Sequence, residues 1–244
     1  MNDTFSVVVL TPTTGICRMA YAQSLARLCM YFAQVRVFED QDQQNLCPDA
    51  VEGSGIAENY ERMVEKHLNS QDIYWTHFLS IEDDMGFAPD CLHILARRKL
   101  DIVGANYSTN KGNCQRFTAL GKTGRIITNA ESSGIEEASL VPQGFTLVSR
   151  RVYEAVPRPW FLMGYSPVSQ RYVYQDYFFC EQARKAGFQM YVDHDVSKRI
   201  YHVGPHNYTW EDALRDIDML QSDTDKESDT NGWPTGSLQS ENRE

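Results

Sequence analysis

Three consecutive carboxylates, Glu82, Asp83 and Asp84, close a short apolar run in the segment Thr76 to Pro89. Carboxylates at a buried strand end repel one another and resist desolvation, so ordinary strands avoid them. A divalent cation removes that penalty. In extended backbone, residues two apart face one side. Glu82 and Asp84 then point into one crevice, with Asp83 turned away. Hard cations such as Mg²⁺ or Mn²⁺ take one or two carboxylates and complete their shell with substrate phosphates. A solvated acidic loop is the competing reading of the same residues.

Two further side chains carry matching chemistry. His202 precedes Val203-Gly204 at the end of a second apolar run. A neutral imidazole completes a Mn²⁺ shell that carboxylates begin, whereas a histidine taken alone is more often a core or surface residue. Asp176 opens an amphipathic pattern whose apolar side includes Tyr177, Phe178, Cys180 and Ala183. The start of a helix stabilises a carboxylate. Asp176 therefore reads either as a plain N-cap or as a base held ready to take a proton.

The surrounding pattern shows which elements must position these groups. Ser6 to Leu10 is a buried strand, broken by Thr11-Pro12-Thr13-Thr14-Gly15. A helix follows from about Arg18 to Ala33, then a strand over Gln34 to Glu39 and an irregular stretch over Asp40 to Gly55. Ile56 to Leu68 is helical and leads into the acidic strand; Asp90 to Lys99 is helical and Asp101 to Tyr107 a strand. This alternation predicts an α/β fold with a mainly parallel sheet, whose ligands bind at the carboxyl ends of its strands. The second half is less regular. It reads as a hairpin over Cys114 to Thr128, a strand within Leu140 to Ser149 with a short helix to about Val156, a helix over Tyr174 to Ala186 capped by Gly187, and strands at Phe188 to Asp193 and Lys198 to Val203. A mixed sheet in a single domain fits this order. Residues 1–210 form that domain, with a nucleotide-binding half to about 110 and an acceptor half from about 111; residues 211–244 are expected to be an acidic, largely disordered tail.

Over roughly residues 5–205 the chain resembles nucleotide-sugar glycosyltransferases of the GT-A fold, a Rossmann-related architecture. The resemblance rests on Ile81-Glu82-Asp83-Asp84-Met85, on Tyr174-Gln175-Asp176 through Ala186-Gly187-Phe188, and on Tyr201-His202-Val203-Gly204. It implies a Mn²⁺ or Mg²⁺ cofactor, a nucleoside-diphosphate sugar as donor, and Asp84 as metal ligand with Glu82 and His202. The family's usual Asp-x-Asp begins here with Glu82. Asp176 falls where the family places the acid that binds the acceptor hydroxyl and, in inverting members, takes its proton. Thr11, Pro12 and Thr13 resemble the loop that receives the base and ribose, and Asp83 is assigned with them to the donor. Arg62 lies where the family often sets a polar residue toward the diphosphate. Asn106, Tyr107 and Lys111 follow the next strand and can line the sugar pocket, and Gly144, in Gln143-Gly144-Phe145, resembles a strand where sugar or phosphate approaches bare backbone. Trp160 and Phe161 read as an acceptor-stacking pair or as a core plug.

Composition sets the outer bounds. The chain has 244 residues, 42% hydrophobic and 23% charged, as in an ordinary globular protein. No apolar run approaches the roughly 20 residues of a membrane span, and no signal peptide is visible. Six scattered cysteines without a Cys-x-x-Cys pair predict a reducing, cytoplasmic setting and no zinc site, with Cys29, Cys91 and Cys180 buried. The net charge of −10 is concentrated beyond residue 210, where ten acids face three bases. The folded part is thus nearly balanced, which leaves a glycan, a protein or a modified nucleic-acid base open as acceptor. No Gly-x-x-x-x-Gly-Lys-Ser/Thr loop is present, so a P-loop kinase is disfavoured. The rivals are a sugar-1-phosphate nucleotidyltransferase, which should show a glycine-rich basic loop after the first strand, and a metal-dependent sugar-binding module without catalysis.

Overall fold

The computed structural model describes residues 4–41, 43–111, 114–166, 170–204 and 207–223. The first half contains β1 (Phe5–Thr13), α1 (Met19–Gln34), β2 (Gln44–Glu52), α2 (Ile56–Leu68), β3 (His77–Ile81), β4 (Met85–Phe87), α3 (Cys91–Arg97) and β5 (Ile102–Gly104). The second half adds β6 (Ser108–Lys111), β7 (Cys114–Phe117), β8 (Ile135–Ala138), β9 (Phe145–Ser149), α4 (Arg150–Ala155), β10 (Gly164–Ser166), β11 (Arg171–Val173), α5 (Gln175–Lys185), β12 (Met190–Asp193), α6 (His194–Ser197), β13 (Ile200–Val203), β14 (Asn207–Tyr208) and α7 (Trp210–Asp223). Seven strands form the central sheet in the order β2-β1-β3-β9-β5-β12-β8. β2, β1, β3, β5 and β12 share one direction, while β9 and β8 run against it. The fold is therefore a mixed, mainly parallel α/β sheet flanked by helices, in one domain.

Both faces of the sheet are covered, as β1 shows. Val8 and Leu10 enter one apolar cluster with Tyr60, Met63 and Phe179, while Val7 and Val9 enter the other with Leu28, Leu92 and Phe145. Alternate residues of one strand feed opposite cores, which is why β1 is a continuous run of Val and Leu. A smaller sheet, β14-β13-β4, sits at the end of β3 and brings the last part of the chain onto the acidic segment.

Several elements depart from the sequence reading. β1 does not break at Thr11 but continues to Thr13, pairing Pro12 with Val51 of β2. β3 follows β1 only as far as Leu10, so the N–H that Pro12 lacks leaves no ladder bond unmade. The second strand is Gln44–Glu52, within the stretch read as irregular, and not Gln34–Glu39. The Val37 N–H donates to the Gln44 side chain and its carbonyl accepts from Arg97 Nε. Phe38 packs edge-on against Phe5, so the alternation of Val35, Val37 and Phe38 serves a packed connection. The principal hairpin of the second half pairs Ser108–Lys111 with Cys114–Phe117; the turn expected at Gly121 is present, with its N–H on the Gly124 carbonyl. Cys91 and Cys180 are buried as expected, whereas Cys29 is only partly so.

The start of the expected tail is helical. α7 begins where Thr209 N–H and hydroxyl both donate to the Asp212 carboxylate, and acids of the first turn also favour the helix dipole. Ala213 is buried and α7 lies against β6 and β7. Residues 224–244 lie outside the described residues. Among the described residues, no helix is long and apolar enough to cross a membrane.

His77, at the entry to β3, makes a testable contribution to stability. Burial beside the Phe5 ring, with centroids 4.8 Å apart, pushes its imidazole down to about 4 against the opposing pull of Asp101. The unfolded chain binds that proton near pH 6.5. The stability that a neutral His77 allows is thus complete above about pH 6.5 and is lost as pH falls through 6 and 5 toward 4, at up to ~1.4 kcal/mol per pH unit. Urea unfolding of wild type and His77→Gln across pH 7 to 4 should show a shallower decline in the variant; parallel curves would remove His77 from the acid response.

Candidate functional site

β3 ends at Ile81 and the chain reverses over the three carboxylates, with the Met85 N–H donating to the Glu82 carbonyl at 3.2 Å. Three distant segments hold that turn. The Glu82 N–H donates to the Gly144 carbonyl (3.3 Å), Arg18 N–H to the Asp83 carbonyl (2.9 Å) and Val203 N–H to the Asp84 carbonyl (2.8 Å). β13 runs antiparallel to β4 with His202 opposite Met85, which sets the imidazole beside the preceding carboxylate. His202 Nε2 lies 3.0 Å from Asp84 Oδ2. The ring is held between Tyr107 and Tyr208, each with its centroid 6.2 Å away and its plane within 26° of parallel.

Four ionisable groups share this neighbourhood. Burial, followed by the charges of Asp84 and Asp176, pushes the Glu82 carboxyl up to about 8, with His202 acting the other way. Burial alone would lower His202. The hydrogen bond with Asp84 and the charges of Asp84 and Glu82 outweigh it and raise the imidazole, with Arg18 opposing. Burial also raises the buried phenols Tyr60 and Tyr107, and the charges of Glu82 and Asp176 add to it in both. Asp176, nearly a hundred residues beyond the turn in sequence, thus acts on the same groups as Asp84. It lies in the first turn of α5, after the N-cap residue Tyr174, and accepts the Tyr177 N–H at 2.8 Å. It is therefore not the plain N-cap of that helix.

The expected metal trio comes together only in part. Among the described residues no group of three His, Cys, Asp or Glu side chains is arranged to hold an ion by itself. Asp84 and His202 do meet, and Asp84 Oδ1 is buried without a hydrogen-bond partner among the described residues. Adjacent ligands of an octahedral ion with bonds of ~2.1 Å stand about 3 Å apart, so this pair has the spacing of two neighbouring donors. Mg²⁺ in particular is usually held by few protein ligands and completed by phosphates and water. A carboxylate–imidazole pair with an orphaned carboxylate oxygen fits such a partial site.

Other expected residues have different surroundings. The Thr11 hydroxyl is buried against Tyr21, 2.6 Å away, and Tyr21 is pushed up to about 12 chiefly by burial, with Asp83 among the charges acting on it. Pro12 is buried in β1, and the Thr13 hydroxyl accepts the Gly15 N–H. Arg62 is exposed on α2, off the face that buries Tyr60 and Met63. Asn106, expected at a sugar pocket, is committed to the protein interior. It is fully buried, its amide donates to the Ile126 carbonyl and Thr128 hydroxyl, and its carbonyl oxygen accepts the Ala119 N–H. Lys111 ends β6, and its side chain lies outside the described residues. Gly144 is approached closely, but by protein: a Cβ there would lie 2.3 Å from the Tyr107 hydroxyl, which contacts the Gly144 N–H. Gly204 likewise makes room for the Tyr208 ring. Trp160 and Phe161 form a core plug, Trp160 donating to the Tyr153 and Val156 carbonyls and Phe161 stacking on Tyr60 and Phe179.

Three residues enter that were not assigned to the site from sequence. Arg18 presents its backbone to Asp83 and its charge reaches His202. Among the described residues, Gln143 is buried with neither amide atom paired, and Gln175 is buried with its Oε1 unpaired. Each stands one residue before a glycine or acid that had drawn attention.

No family model matches the chain, and no curated protein matches it. Similarity appears among solved structures. The crystal structure of A197 from STIV aligns over 85% of this chain and 91% of its own, with a TM-score of 0.59 and 14% identity. The nucleoside-diphosphate-sugar pyrophosphorylase from Vibrio cholerae RC9 aligns over 77% of this chain and 91% of its own, at a TM-score of 0.42 and 14% identity. S. aureus TarS 1-349 aligns over 84% of this chain and 60% of its own, at 0.40 and 12%. The first likeness is one of fold, and the other two are too distant to bear on chemistry.

The glycine–tyrosine contact behind the turn is directly testable. Gly144→Ala should destabilise by about 1–3 kcal/mol through overpacking. In a Tyr107→Ala background the same change should cost clearly less, a coupling that a double-mutant cycle by chemical denaturation reads out. Equal costs in both backgrounds would show that Tyr107 is not what excludes a side chain there.

Proposed function

We propose that the protein is a metal-dependent glycosyltransferase that moves a sugar from a nucleoside diphosphate to an acceptor hydroxyl. The observation that carries this reading is the meeting of Asp84 and His202 at 3.0 Å beside Glu82, with the charge of Asp176 acting on the same place. The pair lies at the carboxyl end of β3, the edge at which α/β sheets bind ligands. Four groups drawn from three separate parts of the chain make an acidic crevice that a cation and a diphosphate would complete together.

Asp84 and His202 would hold Mn²⁺ or Mg²⁺. That ion supplies positive charge against the developing negative charge of the departing diphosphate. Arg18, beside Asp83, offers a second positive group to the phosphates. Asp176 accepts the proton of the acceptor hydroxyl as its oxygen bonds to the anomeric carbon, and the bond from that carbon to the diphosphate oxygen breaks, its electron pair leaving with the nucleotide. With Asp176 as base, the transfer inverts the anomeric centre. For the acceptor, the aromatic surface expected at Trp160 and Phe161 moves to the β10–β11 hairpin. Tyr165 and Tyr172 are more than half exposed there, 5.6 Å apart and edge to face, and the chain runs from them directly into α5 and Asp176. A ring-bearing acceptor stacked on this hairpin would present its hydroxyl toward α5.

Thermal unfolding with UDP-, GDP-, ADP- and TDP-sugars, with and without Mn²⁺, tests the reading. One nucleotide should stabilise the protein by about 2.7 kcal/mol at 100 times its dissociation constant, only with the metal present, and Asp84→Ala should abolish the effect. Asp176→Asn should keep binding and lose about 10²–10⁴-fold in turnover. Arg18→Ala should weaken the nucleotide about tenfold or more. Stabilisation by Mn²⁺ alone, with no nucleotide adding to it, would favour a binding module over an enzyme.

A further inference from the structure

We infer that Gln143 and Gln175 read the hydroxyls of an uncharged sugar ring, so that the transferred group is a neutral sugar and not a uronate or another acid. This rests on the donor reading given above and goes beyond it, to the class of sugar. Gln143 is 1% exposed and Gln175 7%, yet neither polar atom of the Gln143 amide, nor the Gln175 carbonyl oxygen, has a hydrogen-bond partner among the described residues. Folded proteins leave few buried amides in this state, and those that remain call for an explanation such as an absent ligand. An apolar residue of similar volume would fill the Gln143 position without the unpaired groups.

Their placement gives the explanation. Gln143 immediately precedes Gly144, whose carbonyl holds the Glu82 N–H, and its own carbonyl accepts the Tyr60 hydroxyl at 3.4 Å. Gln175 immediately precedes Asp176 at the start of α5. One amide is therefore carried by the segment hydrogen-bonded to the acidic turn, and the other by the helix that carries Asp176. A carboxamide presents one acceptor and two donors, and a hydroxyl is both donor and acceptor, so one amide satisfies a pair of neighbouring ring hydroxyls. The unpaired oxygens select against an ionised acid. Gln143 Oε1 and Gln175 Oε1 each need a donor among their ligand's groups. A ring hydroxyl supplies one, whereas an ionised carboxylate has none to give and would leave both oxygens unpaired.

The experiment compares wild type, Gln143→Leu and Gln175→Met, with Mn²⁺ present, against UDP, UDP-glucose, UDP-galactose, UDP-glucuronate, GDP and GDP-mannose, and against free glucose, galactose and mannose at high concentration. Calorimetry gives the affinities, and thermal unfolding without ligand controls for folding. Without ligand, Gln143→Leu should melt at the wild-type temperature or up to about 4 °C above it, because it removes unpaired groups. A merely structural amide would instead lower it. A neutral nucleotide sugar should bind wild type at least tenfold more tightly than both its bare nucleoside diphosphate and UDP-glucuronate, and each variant should lose about 10–100-fold of that gain while keeping its affinity for the bare diphosphate. If bare diphosphates bind but the sugar adds nothing, or the variants keep the full gain, the inference falls and the donor reading stands. If no diphosphate binds but a free neutral sugar does, and Gln143→Leu loses it, the inference stands and the transferase reading falls. Binding of UDP-glucuronate equal to that of UDP-glucose overturns the neutral-sugar assignment.

Discussion

The structure turns on a like-charge problem at the end of one strand. β3 delivers Glu82, Asp83 and Asp84 to a half-buried turn, and α5 brings Asp176 within range of them. The relief on hand is incomplete. His202 shares one hydrogen bond with Asp84, Arg18 stands on the Asp83 side, and burial with the neighbouring acids pushes the Glu82 carboxyl up to about 8. A fold selected for stability alone would not gather acids here, since each must be desolvated beside another. The proposed cation, with its bound phosphates, would resolve the conflict.

Much of the architecture can be understood as holding that conflict in place. The turn is tied by backbone hydrogen bonds to the segment before α1, to the start of β9 and to the end of β13, so moving it outward would break those bonds. The small β4–β13 pairing sets the register that brings His202 to Asp84. Tyr107 links two of these supports, its ring against His202 and its hydroxyl on the Gly144 N–H. Gly144 and Gly204 are glycines because tyrosines occupy the space their side chains would need. Rigid aromatic packing behind the turn thus sets the position of groups whose mutual repulsion would otherwise spread them.

The sequence was most legible where one physical signal dominated. The Val and Leu run of β1, the amphipathic α2 and the acidic end of β3 each followed from periodicity or charge, and α2 matches residue for residue. Legibility failed where tertiary partners overrode a local pattern. The alternation at Val35, Val37 and Phe38 imitates a strand, but Gln44 and Arg97 take its backbone groups. β8, with Glu136 and Glu137 exposed, carries no apolar pattern and is held by pairing with β12. In the site, carboxylates and histidine could be nominated by type, and Asp84 and His202 do meet. Asn106 could not be told from a ligand-facing residue, because only the fold shows its amide committed to Ile126, Thr128 and Ala119. Gln143 and Gln175 lie inside quoted motifs, but their sequence gives no sign that their amides are unpaired. An unpaired amide is a property of its surroundings.

The central claim is that Asp84 and His202 form the protein's half of a cation site completed by a diphosphate. Pulsed electron paramagnetic resonance on Mn²⁺ bound with a nucleoside diphosphate tests it most directly. The account predicts a bound Mn²⁺ coupled both to ³¹P and to a directly ligating ¹⁴N, with the nitrogen coupling lost in His202→Ala and binding abolished in Asp84→Ala. A Mn²⁺ that shows no ligating nitrogen, or that binds unchanged in Asp84→Ala, would contradict it.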